Sequence, residues 1–493
     1  MQSLGALEAL MLAAEKLGSA MHVGVLLILS PPPAAQDAAT NYVDELHRDS
    51  LIGSHELDPR LRRHPHRGLD TGGVWVWRES VEVDLRRHLR RTTLPPGSGL
   101  EQLWKLVSEL HSERLEMAAP LWASWLIDGF DADGPDGTFA LYIKVHHIVV
   151  DGVGGLRMIA DSLSPDPDRR GMAPFYADKA VADNAGTESA GAHRPGWRVP
   201  NPLAGVRAVT ESVTALLDLP RRVAAAELST VVGSLTSDAV VAPLEAPQTR
   251  FNTRLGPRRA ATGTSLPRDR ILAVREAAGV STNDVVTAVI SGALRQWLID
   301  VGELPARSLV AMCPVSVRAR DATATETGTA SAGNRFGLGL CPLGTELADP
   351  AERLALVHEA MSRIKRQVAE RGADAMLAVM APAIGSTVVL PLLPFGAIMP
   401  FGAIVPPSCN MAISNVPGPA EDMYYNGAHL DEIYPVSTAF DGMGLNVTVC
   451  SYADRVEVGY VTDADLMDDV GALVPLTHAA LDDLAAAMGI STP

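Results

Sequence analysis

The chain has 493 residues, with 41 Lys or Arg against 58 Asp or Glu and a formal net charge of −17. This length predicts two sizeable domains, and the 47% of apolar residues can fill large cores, which excludes a disordered chain. The acidic balance and the 5% of aromatic residues exclude a general nucleic-acid binder, which needs a basic surface.

Cysteine usage and the first residues indicate a compartment. The four cysteines include no CxxC pair, so neither a zinc site nor a disulfide scaffold is expected, and a reducing compartment is favoured. The first 20 residues lack a basic segment, and Glu8, Glu15 and Lys16 interrupt their apolar residues. We therefore expect no signal peptide and a cytoplasmic protein.

Residues 1–163 are predicted to form an N-terminal domain that mixes helices and strands. An amphipathic helix is expected over residues 3–17, because Leu4, Leu7 and Met11 recur on one face. The apolar run 21–29 is followed by prolines, which favours a buried strand over a membrane span. Further predicted elements are strands at 74–77, 81–84, 121–127 and 140–146 and a helix at 100–115.

Residues 164–245 are predicted to be a linker with crossing helices. Prolines fall among Asp, Gly, Ser and Ala up to residue 202, which is typical of linkers, and a helical pattern follows. A second mixed domain is expected over 246–493, in which residues 281–284 form an N-cap signal before a helix at 285–298. Its other predicted elements are strands at 309–317, 445–452 and 456–462 and helices at 351–371 and 470–488.

The stretch from Ala375 to Ala420 contains no Asp, Glu, Lys, Arg or His. Its prolines argue against one straight membrane-spanning helix, because each removes a backbone donor. Three interpretations stay open: a buried helix with a core strand at 410–415, an apolar lining for a lipid substrate, and a surface element that enters the membrane interface.

Two adjacent histidines at the end of a predicted strand form the strongest chemical signal. His146 and His147 end that strand, and Asp151 and Gly152 follow. A histidine at a strand end can hold a neutral imidazole and accept a proton from a hydroxyl group; Asp151 would fix the turn, and Gly152 would let the backbone bend sharply. A buried structural pair or a chance surface pair is the alternative. A shared metal ion is disfavoured, because adjacent strand side chains point to opposite faces.

The string His146-His147-x-x-x-Asp151-Gly152 resembles the signature of the CoA-dependent acyltransferase superfamily. Over nearly its whole length, the chain resembles more closely the bacterial wax ester synthase/diacylglycerol acyltransferase family. The other motifs of this resemblance are Met21-His22-Val23-Gly24, Pro120-Leu121-Trp122, Asn283-Asp284-Val285-Val286, Pro314-Val315-Ser316-Val317-Arg318, Gly333-Asn334-Arg335, Ser414-Asn415-Val416-Pro417-Gly418-Pro419 and Tyr434-Pro435-Val436-Ser437.

The resemblance implies a mixed α/β fold of two chloramphenicol-acetyltransferase-like domains, with an active-site channel between them. It implies transfer of a long-chain acyl group from acyl-CoA to diacylglycerol or to a long-chain alcohol, with no cofactor and no metal, since acyl-CoA is a substrate. An acyltransferase acting on a polyketide or peptide carrier and a non-catalytic lipid-binding protein are the alternatives. The expected location is the cytoplasm, and peripheral contact with the inner membrane face or with lipid droplets stays open.

The resemblance also assigns residue roles. His147 would be the general base, His146 a supporting residue and Asp151 a residue that holds the loop. The residues expected to contact substrate are Asn283, Arg335, Pro120 and Trp122. Asn283 is a candidate oxyanion donor, with a helix N-cap as the alternative. For Arg335 three roles stay open, which are stabilising the interface, binding phosphate and pairing with a carboxylate.

Residues 60–91 carry a local excess of five positive charges, nine arginines against four carboxylates. CoA carries several negative charges, so an acidic protein that binds it should keep a basic patch. A solvated helix face and attraction to anionic lipid headgroups are the alternatives.

Overall fold

A computed structural model describes residues 2–18, 20–33, 35, 39–52, 55–131, 137–150, 152–178, 245–316, 336–371 and 407–490. The chain divides into two compact units. The first comprises Met1–Asp218, Val416–Thr438 and Cys450–Gly459, and the second comprises Leu219–Asn415, Ala439–Val449 and Tyr460–Pro493.

Strands and helices alternate along the described residues, as expected for mixed α/β units. In chain order, the strands are β1 Gln2–Ser3, β2 His22–Ser30, β3 Arg63–His66, β4 Val76–Glu79, β5 Leu89–Ser98, β6 Trp122–Phe130, β7 Phe139–His146, β8 Arg259–Pro267, β9 Val310–Ser316, β10 Phe336–Pro342, β11 Met411–Pro417, β12 Tyr424–Tyr425, β13 Ala428–Val436, β14 Leu445–Tyr452 and β15 Arg455–Asp463. The helices are α1 Ala6–Leu17, α2 Ala39–Ile52, α3 Leu85–His88, α4 Leu100–Ser112, α5 Gly152–Ala160, α6 Arg268–Ala278, α7 Thr282–Asp300, α8 Pro350–Arg371 and α9 Leu473–Ala487.

A six-stranded sheet in the order β12-β13-β2-β7-β6-β5 forms the centre of the first unit. Strands β2 and β7 are antiparallel neighbours, and His22 lies opposite His146 in their register. Because side chains alternate across a strand, one face of this pair carries apolar residues such as Leu27 and Ile143, which belong to the main core. His146 therefore projects from the opposite face of β7.

Strand β13 reaches this sheet from the far end of the chain. It pairs antiparallel with β2, with His429 opposite Ser30 and Tyr434 opposite Leu26. The sequence predicts one continuous C-terminal domain over residues 246–493 and does not indicate this pairing of β13 with β2. Short-range patterns cannot reveal a pairing between strands about 400 residues apart, since both strands look the same whichever partner they take. The boundaries at 163 and 245 stay predictions.

Two local predictions are wrong. Residues 81–84 form no strand; Asp84 instead caps α3 by accepting a hydrogen bond from the Arg86 backbone N–H. The first part of the predicted linker is packed into the first unit, where Phe175 and Tyr176 are buried. The rest of that linker, residues 179–244, lies outside the described residues.

The second unit is built around the sheet β10-β9-β11-β14-β15-β8 and the helices α6 to α9. Strand β11 confirms the core strand predicted at 410–415, and the rest of the charge-free stretch up to residue 406 lies outside the described residues. None of the helices in the described residues combines the length and the apolarity that crossing a bilayer requires.

Candidate active site

The two histidines lie where β7 ends and turns. The His146 backbone N–H donates to the Leu121 carbonyl (3.0 Å), and the His147 backbone N–H donates to the Met21 carbonyl (2.8 Å). The turn closes on itself, because the Val149 N–H donates to the His146 carbonyl (2.9 Å). Backbone contacts from two separate segments therefore fix the position of this loop.

His146 is a structural histidine. It has no exposed surface, its Nδ1 accepts a hydrogen bond from the Ile148 backbone N–H (3.1 Å), and its Nε2 lies 2.5 Å from Glu15 Oε2. Because Nδ1 is an acceptor, the ring proton must lie on Nε2, which donates to the Glu15 carboxylate. Both ring nitrogens are thus occupied by protein partners, which fits the predicted supporting role of His146.

His147 differs from its neighbour in exposure. Its side chain is partly exposed, and it follows the end of β7 directly. Of the two histidines, His147 is therefore the more exposed. Asp151, the acid of the motif, lies outside the described residues, so its predicted role in holding the loop stays a prediction.

The predicted role of Gly152 in the bend after the histidines stays a prediction, and the backbone described at this position does not require a glycine. Gly152 is exposed and is the first residue of α5. It lies outside the left-handed region, and a Cβ atom built on it would meet no atom within 4 Å. The backbone conformation at this position is therefore open to any L-residue.

Replacing Gly152 with alanine should leave the fold intact. We expect the free energy of unfolding of Gly152→Ala to stay within about 0.5 kcal/mol of the wild type, as for unstrained surface substitutions. Urea unfolding followed by circular dichroism measures this. A loss above about 2 kcal/mol, the range of strained positions, would show that the glycine is needed for the backbone after all.

The Pro120-Leu121-Trp122 motif supports the histidine loop from inside the core. Trp122 is 1% exposed, its Nε1–H donates to the Leu61 carbonyl (3.0 Å), and its ring stacks on His88 with centroids 4.6 Å apart. Pro120 is buried as well. Both residues thus pack in the core of the first unit, and their predicted contact with substrate stays a prediction.

A buried polar network covers the same face of the sheet as His146. His22 Nε2 donates to the His111 carbonyl (2.5 Å), and His111 Nδ1 accepts from the Tyr142 hydroxyl (2.7 Å). Lys144 Nζ donates to two carbonyls at the end of α4, those of Leu110 (2.5 Å) and Glu113 (2.6 Å).

Burial sets the charges in this network. It lowers the pKa of His22 well below its usual range and that of Lys144 to about 8, because a charged form is poorly solvated there. Burial also raises the pKa of Tyr142. The network therefore ties β2, β7 and α4 together mainly through neutral hydrogen bonds and one helix-terminal ammonium group.

Asn283 belongs to the second unit and is not the helix N-cap. Ser281 takes that position, since its hydroxyl accepts from the Asp284 backbone N–H (3.3 Å). Asn283 lies in the first turn of α7, where its Oδ1 accepts from Asn415 Nδ2 (3.1 Å). Two of the sequence motifs thus meet here. The oxyanion role of Asn283 stays a prediction, and Arg335 lies outside the described residues.

The arginines of residues 60–91 do not share one helix face. They are spread over β3, β4, α3, β5 and the segments between them. Several of them form ion pairs with carboxylates. The pairs are Arg60–Asp58 (2.7 Å), Arg78–Asp70 (2.5 Å), Arg87–Glu116 (2.9 Å), Arg91–Asp44 and Arg91–Asp128. The helix-face interpretation is therefore wrong, and much of the local charge excess is compensated by residues outside the range.

Sequence reasoning missed Glu15 and Lys144 as residues of the site. Glu15 continues the apolar stripe that begins at Leu4, just before α1, and includes Met11, and a carboxylate in such a stripe signals a buried partner. Lys144, two residues before the histidines, interrupts the apolar strand in the same way. Within the described residues no group of three His, Cys, Asp or Glu side chains could hold a metal ion.

Comparison with known proteins identifies the family. The model of the wax ester synthase/diacylglycerol acyltransferase catalytic domain matches residues 4–286, and that of the family's C-terminal domain matches residues 332–485. A candidate diacylglycerol O-acyltransferase of Mycobacterium bovis is 35% identical over 99% of this chain and 91% of its own. Another, from Mycobacterium tuberculosis, is 32% identical over 95% of this chain and 96% of its own.

Solved structures agree with this assignment. The wax ester synthase/diacylglycerol acyltransferase from Marinobacter aquaeolei superposes with a TM-score of 0.75 at 29% identity, covering 99% of this chain and 100% of its own. The first condensation domain of the calcium-dependent antibiotic synthetase, at 15% identity and a TM-score of 0.51 over 99% and 96% of the two chains, shows the fold alone.

The fold and the histidine loop define an acyltransferase of the CoA-dependent type. The chain belongs to the wax ester synthase/diacylglycerol acyltransferase family. The predicted fold class and enzyme class are thereby confirmed, whereas the predicted channel between the domains stays a prediction.

Proposed function

We propose that the protein transfers a long-chain fatty acyl group from acyl-CoA to the free hydroxyl of diacylglycerol, forming triacylglycerol. The observation that carries this proposal is the pair of histidines at the end of β7, of which His146 is locked by Glu15 and His147 is partly exposed. Family membership supports the substrate classes, and the names of the mycobacterial relatives favour diacylglycerol as acceptor.

In the proposed reaction His147 acts as general base. Its imidazole takes the proton of the acceptor hydroxyl while the oxygen attacks the thioester carbonyl, giving a tetrahedral intermediate. The carbon–sulfur bond then breaks, the new ester forms, and the leaving CoA thiolate receives the proton from His147. Such a base contributes about 10²–10⁴-fold to the rate, and no acyl-enzyme is needed.

The remaining residues of the loop position the base. His147 can present its imidazole reproducibly because its backbone N–H is bound to Met21 and the preceding residue is bound to Glu15 and Leu121. Holding a base and two substrates in a fixed geometry contributes up to about 7–11 kcal/mol to a bimolecular reaction. Asp151 would add to this support by holding the turn, as the family motif implies.

A long-chain alcohol is the second candidate acceptor, since the family name joins the two activities. Both acceptors present a hydroxyl group to the same base, so the chemistry at His147 would not differ. We also propose that the protein contacts a membrane surface or lipid droplet. Such contact would bring either apolar acceptor to the enzyme.

The product of purified protein tests the function. Labelled palmitoyl-CoA is supplied with dipalmitoylglycerol or hexadecanol, and the lipids are separated by thin-layer chromatography. We expect labelled triacylglycerol from the first acceptor. Labelled wax ester alone would reassign the acceptor, and no labelled ester from either acceptor would contradict the function.

A further inference from the structure

A recess on the first unit lies beside the histidine loop and has no role in the chemistry described above. It is formed by α1, β3, the approach to β4 and the segment after α4, it is open to solvent, and its cavity volume is about 400 Å³. Small-molecule sites enclose about 300–1,000 Å³. We call it the Trp75 recess.

Positive groups dominate the wall of the Trp75 recess. Its fixed cations are Lys16, Arg67 and Arg114, none of which makes an ion pair within the described residues. Arg114 donates to the neutral carbonyls of Glu15 (3.0 Å) and Gly18 (2.7 Å), which leave its charge uncompensated. In a protein with a net charge of −17, such a cluster is a local site for an anion.

An aromatic ring lies next to two of these cations. Lys16 Nζ lies 5.0 Å and Arg67 Cζ 6.0 Å from the centroid of the partly exposed Trp75 ring. A planar base can stack on an indole, and a guanidinium or ammonium group can bind the phosphate attached to it. Phosphate groups joined to a heteroaromatic ring therefore match the recess better than a simple anion does.

The recess and the histidine loop share one structural element. Glu15 lines the recess and binds His146 at 2.5 Å. Arg114 holds the end of α1, after which the chain reaches Met21, whose carbonyl binds the His147 backbone. A ligand in the recess therefore lies next to Glu15, which binds the residue that precedes the proposed base.

We propose that the Trp75 recess binds the phosphorylated nucleotide end of acyl-CoA, with Lys16, Arg67 and Arg114 facing its phosphates and Trp75 its adenine. This inference rests on the proposed function and adds the place at which the donor is recognised. The arginine excess noted in the sequence contributes to it through Arg67, whereas Arg60, Arg78, Arg87 and Arg91 pair elsewhere.

The test reverses the charges of the two exposed cations that lie next to the Trp75 ring, Lys16 and Arg67. Titration calorimetry measures the binding of CoA and of pantetheine to the wild type and to the double variant Lys16→Glu/Arg67→Glu. We expect CoA to bind at least about tenfold more weakly to the variant, as expected from losing charge-assisted phosphate contacts, and pantetheine to bind both proteins equally. The KM for palmitoyl-CoA should rise in parallel, while the KM for palmitoyl-pantetheine should not change.

A matched control has the same change in net charge away from the recess. Arg86 and Arg169 are exposed residues of the first unit that do not line it, so Arg86→Glu/Arg169→Glu should bind CoA as the wild type does. Equal CoA affinity of the recess variant and the wild type would overturn the inference. Equal weakening in both double variants would overturn it too, since it would reflect net charge alone.

A third arm separates CoA from anionic lipid headgroups, which also present phosphates. The recess variant and the wild type are sedimented with vesicles of phosphatidylglycerol and phosphatidylcholine. Unchanged sedimentation together with weakened CoA binding supports the inference, whereas lost sedimentation with unchanged CoA binding assigns the recess to lipid and overturns it. Because CoA binding is measured without turnover, a failure of the proposed function would be seen separately, in the absence of labelled ester from wild-type protein.

Discussion

Replacing His147 with alanine is expected to lower kcat by about 10²–10⁴-fold, the usual contribution of a general base. The substitution removes a partly exposed imidazole and keeps the backbone N–H that binds Met21. The loop should therefore keep its position, so the affinity for acyl-CoA and the free energy of unfolding should stay close to those of the wild type. Steady-state kinetics with palmitoyl-CoA and dipalmitoylglycerol, together with calorimetric binding of CoA, measure both.

The matched control is His147→Asn, which keeps a polar side chain of similar size without a basic nitrogen. If the basic nitrogen of His147 is needed for turnover, kcat of His147→Asn should fall as far as that of His147→Ala. Turnover near the wild-type value in either variant would contradict the assignment of His147.

Replacing His146 with alanine should give the opposite phenotype, a loss of stability. The change removes the partner of the buried Glu15 carboxylate, whose other oxygen already lies buried with no hydrogen-bond partner in the described structure. Leaving a buried carboxylate without its hydrogen-bond donor costs about 1–3 kcal/mol, and more because the group is charged. Urea unfolding followed by tryptophan fluorescence should show this loss for His146→Ala and only a small change for His147→Ala.

Neutralising the Glu15 carboxylate, which His146→Ala leaves without its partner, should recover part of that stability. In the double variant His146→Ala/Glu15→Gln no buried charge is left, so it should be more stable than His146→Ala. Glu15→Gln alone keeps an acceptor oxygen for His146 Nε2–H. It should therefore lose less stability than His146→Ala or the double variant. If His146→Ala is as stable as the wild type, the buried pair does not hold the loop.

The different roles of the two histidines could not be predicted from the sequence around them. The apolar strand and the residue types predicted a site at His146 and His147, because strand alternation and imidazole chemistry are local properties. Which of them is buried depends on Glu15, 131 residues earlier in the chain. The partner of β2 is likewise β13, from the other end of the sequence.

The sequence predicted local structure well wherever the two residues that form an interaction lie in one short segment. Ser281 and Asp284 cap α7 across three residues, as the sequence indicated. Trp122 shows the reverse case, since its ring packs against His88 and Tyr176 from separate segments, which the motif did not indicate. Motif residues near a catalytic loop can thus belong to the core that fixes the loop.

Release of the CoA thiol, measured together with triacylglycerol, tests the central claim most directly. Purified wild-type protein and His147→Ala are mixed rapidly with palmitoyl-CoA, with and without dipalmitoylglycerol. Direct transfer assisted by His147 predicts one thiol released for each triacylglycerol formed by the wild type, no thiol burst without acceptor, and little of either product from His147→Ala. A burst of one thiol per enzyme without acceptor, or full product formation by His147→Ala, would contradict it.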